Sequence, residues 1–101
     1  MLKRMIIING DSMNSNNENL KNEKNIEYTV QTREIADKII RMLVEERKRQ
    51  GFTQQDIADD TGMRASNVTR FESCKNTPTL EILTRYADAL GKKLQIELID
   101  K

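Results

Sequence analysis

The stretch from Gln54 to Ser73, QQDIADDTGMRASNVTRFES, constrains the fold more than any other part of the chain. Its apolar positions predict two short helices with a break between them. Ile57 and Ala58 give the first helix an apolar side. Val68 and Phe71, three residues apart, give the second helix a stripe that can be buried. The opposite face of the second helix must then point away from the core.

The residues around this break are those that a tight helix-turn-helix requires. Ala58 is small enough to let the two helices cross closely, and Gly62 can adopt the left-handed conformation that ends the first helix. Thr53, with Asp56 three residues later, predicts a capping box where that helix begins. In a helix-turn-helix, the second helix enters the major groove of DNA. The residues expected to approach base edges are Arg64, Ala65, Ser66, Thr69 and Arg70.

The chemistry of these side chains suits base recognition. Arg70 can donate two hydrogen bonds to guanine, Ala65 can contact a thymine methyl group, and Ser66 tolerates several bases. The alternative for Arg64 and Arg70 is that both are solvated helix charges. Polar donors near a helix N-terminus or in the following loop contact phosphates instead, which fixes register without reading sequence. The residues assigned to phosphates are Gln54, Asn67, Lys75 and Asn76.

The segment GFTQQDIADDTGMRASNVTRFESCKNTPTLEILTRYADALG resembles the lambda-repressor-like (Cro/repressor, or Xre) helix-turn-helix family, from about Arg33 to Gly91. The residues in family register are Gly51, Thr53, Gln54, Ala58, Gly62, Val68, Glu72, Pro78, Leu90 and Gly91. Arg64 stands where the family often has Ser or Thr, so we expect the second helix to lack a side-chain cap. Cys74 stands where the family usually has Gly, so we expect a strained or differently shaped turn. The resemblance also implies a structural pair between Arg47 and Glu72.

Further helices are predicted on both sides of the motif. Apolar residues at helical spacing predict a first helix from Arg33 to Gln50, with Thr32 as its N-cap. A last helix ends at Leu90, and Thr77 or Thr79 caps its start. We therefore expect a mainly α fold, in which residues 31–91 form a lambda-repressor-like bundle of four to five helices.

Residues 1–30 are rich in Asn and poor in apolar groups, which predicts a polar, largely disordered N-terminal arm. The alternative is an arm that becomes ordered on a partner. The anchors of such an arm would be Leu20, Ile26, Tyr28 and Val30.

Residues 92–101 follow a different pattern. Leu94, Ile96 and Leu98 alternate with polar residues, which predicts a half-buried C-terminal β-strand. A single strand leaves its backbone edges unpaired and needs a partner. That partner is either the same strand of a second copy, which makes residues 92–101 a dimerisation element, or the run from Ile6 to Ile8.

The composition restricts the possible functions mainly through the residue types that are absent or rare. The chain has 101 residues, a formal net charge of +1, no His and a single Cys, so it offers no zinc site and no disulfide framework. No residues are arranged for acid–base or nucleophilic catalysis, and we expect neither enzyme activity nor a cofactor or metal. No apolar run approaches the ~18 residues that span a membrane. The expected location is the cytoplasm.

Two function classes follow from these residues and from the resemblance. The first is a sequence-specific repressor that binds a double-stranded DNA operator as a homodimer. The second is the antitoxin of a type II toxin–antitoxin pair, because small HigA-like antitoxins have a similar C-terminal end. The resemblance then implies a small basic RNase-type toxin as a partner. We favour a combined antitoxin and repressor; the alternative is a phage-type or housekeeping Xre regulator without a toxin.

Overall fold

The structure is a computed structural model, and it describes residues 23–101. This part of the chain contains four α-helices, which confirms the predicted mainly helical fold. The helices are α1 (Glu23–Gln50), α2 (Gln54–Thr61), α3 (Ala65–Glu72) and α4 (Leu80–Ala89). Within the described range, none of them is long and apolar enough to cross a membrane.

The core lies where α2 packs against α3 and α4, and where the C-terminal half of α1 contacts α3 and α4. Each helix contributes its apolar side to one cluster. The buried members are Ile39, Leu43, Ile57, Ala58, Val68, Leu83, Tyr86, Ala87 and Leu90. The predicted stripe of α3 is used unequally, because Val68 is fully buried whereas Phe71 is only partly covered.

Local signals fix both ends of α2. Thr53 and Asp56 form the predicted capping box, with the Thr53 side chain accepting from the Asp56 N–H and the Asp56 carboxylate accepting from the Thr53 N–H. Gly62 ends the helix at φ 79°, and its N–H donates to the Ala58 carbonyl. A Cβ at Gly62 would meet nothing within 4 Å, so this position needs glycine for its backbone conformation and not for space.

The start of α1 differs from the prediction. The helix was expected to begin at Arg33, but it begins at Glu23 and runs for 28 residues. The added turns contain neither Gly nor Pro, and a helix already formed by packing extends at little cost. Thr32 therefore lies inside the helix and caps nothing. Residues 1–22 of the expected arm lie outside the described residues.

The predicted C-terminal strand is wrong for the described chain: residues 92–101 form neither strand nor helix. Leu94 packs against the core, but Ile96 is 40% exposed and Leu98 is 87% exposed. An alternating pattern makes a strand only when another strand accepts its hydrogen bonds. No described segment pairs with this tail, and the run from Ile6 to Ile8 lies outside the described range.

Candidate nucleic-acid interface

The outward face of α3 is set by its buried residues. Val68 is 0% exposed, and the Phe71 ring lies 5.0 Å from the ring of Tyr86, centroid to centroid. These contacts turn the opposite side of α3 to solvent. Of the residues predicted to read bases, Arg64, Ser66, Thr69 and Arg70 are exposed and Ala65 is partly buried. Four of the five predicted residues are thus accessible at the N-terminal end and the outer side of α3, whereas Ala65 packs against the core.

The N-terminus of α3 has no side-chain cap, as its sequence predicted. Arg64 is the N-cap residue, with φ −77° and ψ 146°, and its side chain makes no capping hydrogen bond. The first N–H groups of a helix have no partner within the helix, and they favour an anion. This end of α3 therefore combines an exposed guanidinium with N–H groups that a phosphate can satisfy.

Arg47 and Glu72 meet behind α3. Arg47 Nε donates to Glu72 Oε2 at 2.9 Å, and Arg47 Nη2 donates to Glu72 Oε1 at 3.0 Å. The Arg47 Nη1 group donates to the carbonyl of Phe52 at 2.8 Å. Both charged side chains are nearly buried, with 9% and 8% of their areas exposed. The two parallel hydrogen bonds fix the end of α3 against α1.

Two further donors reach the Glu72 carboxylate. The Tyr86 hydroxyl donates to Oε2 at 2.6 Å, and the Gln54 amide donates to Oε1 at 2.9 Å. Burial alone would raise the pKa of Glu72, but hydrogen bonds from Arg47, Tyr86 and Gln54 outweigh it and lower that pKa. Burial and the hydrogen bond to Glu72 raise the pKa of Tyr86. The carboxylate is thus held ionised by partners from α1, α2 and α4.

Gln54, predicted to contact a phosphate, is partly exposed and also makes two hydrogen bonds within the protein. Its amide donates to Glu72 and accepts a hydrogen bond from the Thr69 hydroxyl at 2.7 Å. Thr69 stays exposed, with its hydroxyl oriented by Gln54. Tyr86 also belongs to this network, although the sequence gives no sign of that role. No local pattern marks that hydroxyl, because its partner lies 14 residues away on another helix.

The loop after α3 carries the remaining predicted phosphate contacts. Lys75 and Asn76 are exposed there, and Asn67 is exposed on α3 itself. Cys74 begins the loop at φ 62°, and it is the one non-glycine residue with positive φ in the described chain. This confirms the strained turn expected where the family has Gly.

A family model for helix-turn-helix proteins matches residues 43–96. The chain belongs to the helix-turn-helix family. Neither the curated proteins nor the solved structures contain a match. The helix-turn-helix match includes the whole of α2, α3 and α4 with the Arg47–Glu72 pair, and it leaves out α1 before Leu43. DNA binding and transcription regulation are therefore the function class of this chain.

Proposed function

We propose that this helix-turn-helix protein is a sequence-specific repressor, which binds double-stranded DNA with the exposed face of α3 in the major groove. One observation carries the proposal: a buried network fixes α3 from behind while Arg70 stays exposed in front. A rigid helix holds its side chains at defined positions, and a guanidinium can donate two hydrogen bonds to guanine. The proposed activity is recognition, without a catalytic step.

The proposed active form is a homodimer. A net charge of +1 gives the chain little general attraction to DNA, and a single motif makes few phosphate contacts. Two copies with recognition helices ~34 Å apart would double those contacts. The tail supports this form, since Leu94 covers the core while Ile96, Leu98 and Ile99 remain exposed and could pack against a second tail.

Selection and sedimentation together test this function. The intact chain should select one duplex from a randomised pool, protect two half-sites about one helical turn apart, and sediment as a dimer at micromolar concentration. A chain truncated after Gly91 should sediment as a monomer and bind one half-site weakly. A wild-type chain that retains all duplexes equally would refute sequence-specific repression. An intact chain that sediments as a monomer would refute the dimer.

We propose antitoxin activity as a second function, because exposed apolar residues lie on the N-terminal turns of α1. Ile26 and Val30, one helical turn apart on the same face, are 55% and 51% exposed, and Tyr28 on the opposite side is 55% exposed. Exposed apolar groups on a helix are typical of sites that bind another protein. The proposed partner is a small basic RNase-type toxin.

The product of the adjacent open reading frame, co-expressed with this chain, is the probe for antitoxin activity. A small basic product should co-purify with the wild type and dissociate on the substitution Val30→Asp, while DNA binding persists. If that product does not bind, the alternative of a phage-type or housekeeping regulator stands.

A further inference from the structure

Arg33 connects the N-terminal half of α1 to the loop that follows α3. Its Nη2 group donates to the carbonyl oxygen of Asn76 at 3.2 Å, across 43 residues of sequence. Its Nε lies 3.2 Å from Asp37 Oδ1, one helical turn further along α1. Both atoms of this ion contact are shielded from solvent. Arg33 lies before the residues that the helix-turn-helix family model matches, so family membership does not account for this link.

Asp37 also lies near the start of the same loop. Burial, and after it the nearby Asp37 carboxylate, raises the pKa of the thiol of Cys74, the residue with the left-handed backbone. A non-glycine residue persists in that region only where its surroundings hold it. The pair on α1 thus reaches both the strained residue that begins the loop and the carbonyl two residues later.

Lys75 lies between these two attachment points and is exposed. Holding Cys74 and Asn76 fixes the backbone on both sides of Lys75 and so limits where its ammonium group can move. A group that is ordered before binding loses less entropy when it contacts a phosphate. The link from α1 therefore limits the movement of the loop that carries Lys75.

We propose that Arg33 is a positioning residue for DNA binding: through Asp37 and the Asn76 carbonyl, it presents Lys75 to the phosphate backbone. The proposal rests on the proposed DNA-binding function. Arg33 and Asp37 keep 34% and 26% of their side-chain areas exposed, so the pair adds little to folding stability. Its loss should affect DNA affinity far more than the melting temperature.

The test compares Arg33→Ala with Arg33→Lys and a matched control, Arg85→Ala. Arg85 also pairs with a carboxylate one turn away, since its Nη2 lies 2.8 Å from Glu81 Oε2, but it lies on α4. The probes are the duplex that the wild type selects and a random-sequence duplex, both titrated from 50 to 300 mM salt. Arg33→Ala should weaken binding to both duplexes about three- to tenfold, as expected when one side chain must be ordered on binding. Arg33→Lys should lose nearly as much although it keeps the charge, and Arg85→Ala should bind as the wild type does.

A double-mutant cycle with Lys75→Ala separates positioning from a general structural role. In the Lys75→Ala background, Arg33→Ala should have almost no further effect, because the group that it positions is gone. Full additivity, or wild-type affinity in Arg33→Ala, would overturn the positioning role and leave the DNA-binding function intact. Retained affinity in Arg33→Lys would also overturn it, since charge alone would then explain the loss. A wild-type chain that binds neither duplex would refute both proposals.

Discussion

α3 and the C-terminal tail both bring apolar side chains to the same core, but the core holds them very differently. In α3, Val68 is fully buried and Glu72 accepts hydrogen bonds from three other helices. In the tail, Leu94 is partly buried while Leu98 is 87% exposed. A helix satisfies most of its own backbone hydrogen bonds, whereas an extended segment must find a neighbour to do so.

The comparison shows what makes a surface usable for recognition in so small a protein. Because a small core offers few buried apolar groups, the orientation of α3 also depends on polar side chains from α1, α2 and α4 that meet at Glu72. The Glu72 carboxylate collects such contacts behind α3 and keeps its outer face in one position. In the tail, Leu94 packs against the core and Lys92 Nζ lies 3.8 Å from Glu46, while Ile96 and Leu98 stay exposed.

Removing Arg47, which pairs with Glu72 behind α3, should have the largest effect on the free energy of unfolding. Arg47→Ala leaves the nearly buried Glu72 carboxylate without its cation, which should cost ~3 kcal/mol or more of unfolding free energy. Urea denaturation measures this loss, and Arg85→Ala is the control for an exposed pair, with an expected cost below ~1 kcal/mol. A cost below ~1 kcal/mol for Arg47→Ala would show that the pair does not anchor α3.

Substitutions of Leu94 and Leu98 compare a packed and an exposed position within the tail. Leu94→Ala should cost about 1–2 kcal/mol, since it removes a partly buried side chain from the core. Leu98→Ala should change the unfolding free energy by less than about 0.5 kcal/mol when the protein is dilute enough to be monomeric. Equal costs for the two variants under those conditions would mean that the tail packs along its whole length.

The pH dependence tests the same network with a smaller effect. The pKa of Glu72 is lowered in the folded state, so its stabilising contribution is present above the unfolded carboxyl pKa of about 4.3. That contribution is lost as pH falls through the lower folded-state pKa. The gap in unfolding free energy between the wild type and Glu72→Gln should therefore narrow as pH is lowered from 5. A constant gap from pH 7 to pH 2.5 would contradict the lowered pKa.

The sequence predicted the local parts of this structure well. The Thr53 capping box, the left-handed Gly62 and the uncapped Arg64 all depend on residues within one helical turn, where spacing determines the contact. The strained turn at Cys74 followed from the family resemblance, as did the expectation that Arg47 meets Glu72.

The parts that sequence could not predict depend on distant residues or on another chain. The link from Arg33 to Asn76 spans 43 residues, and no periodic pattern marks it. The hydrogen bonds of Gln54 to Thr69 and Glu72 join residues 15 and 18 positions apart, and no local pattern marks them either. In the tail, the sequence has a regular pattern but the structure lacks the element that the pattern predicts. The alternation of Leu94, Ile96 and Leu98 predicts a strand, yet no strand pairs with it in the described chain.

The central claim is that the face of α3 opposite Glu72 reads base pairs, and one measurement tests it most directly. Binding of wild type, Arg70→Ala and Lys75→Ala is titrated against the selected duplex, its single-base-pair variants and a random duplex. Arg70→Ala should lose about 1–3 kcal/mol per half-site and relax the preference at one base pair. Lys75→Ala should weaken all duplexes alike and reduce the salt dependence. If both variants weaken selected and random DNA equally, α3 does not read bases and the account is wrong.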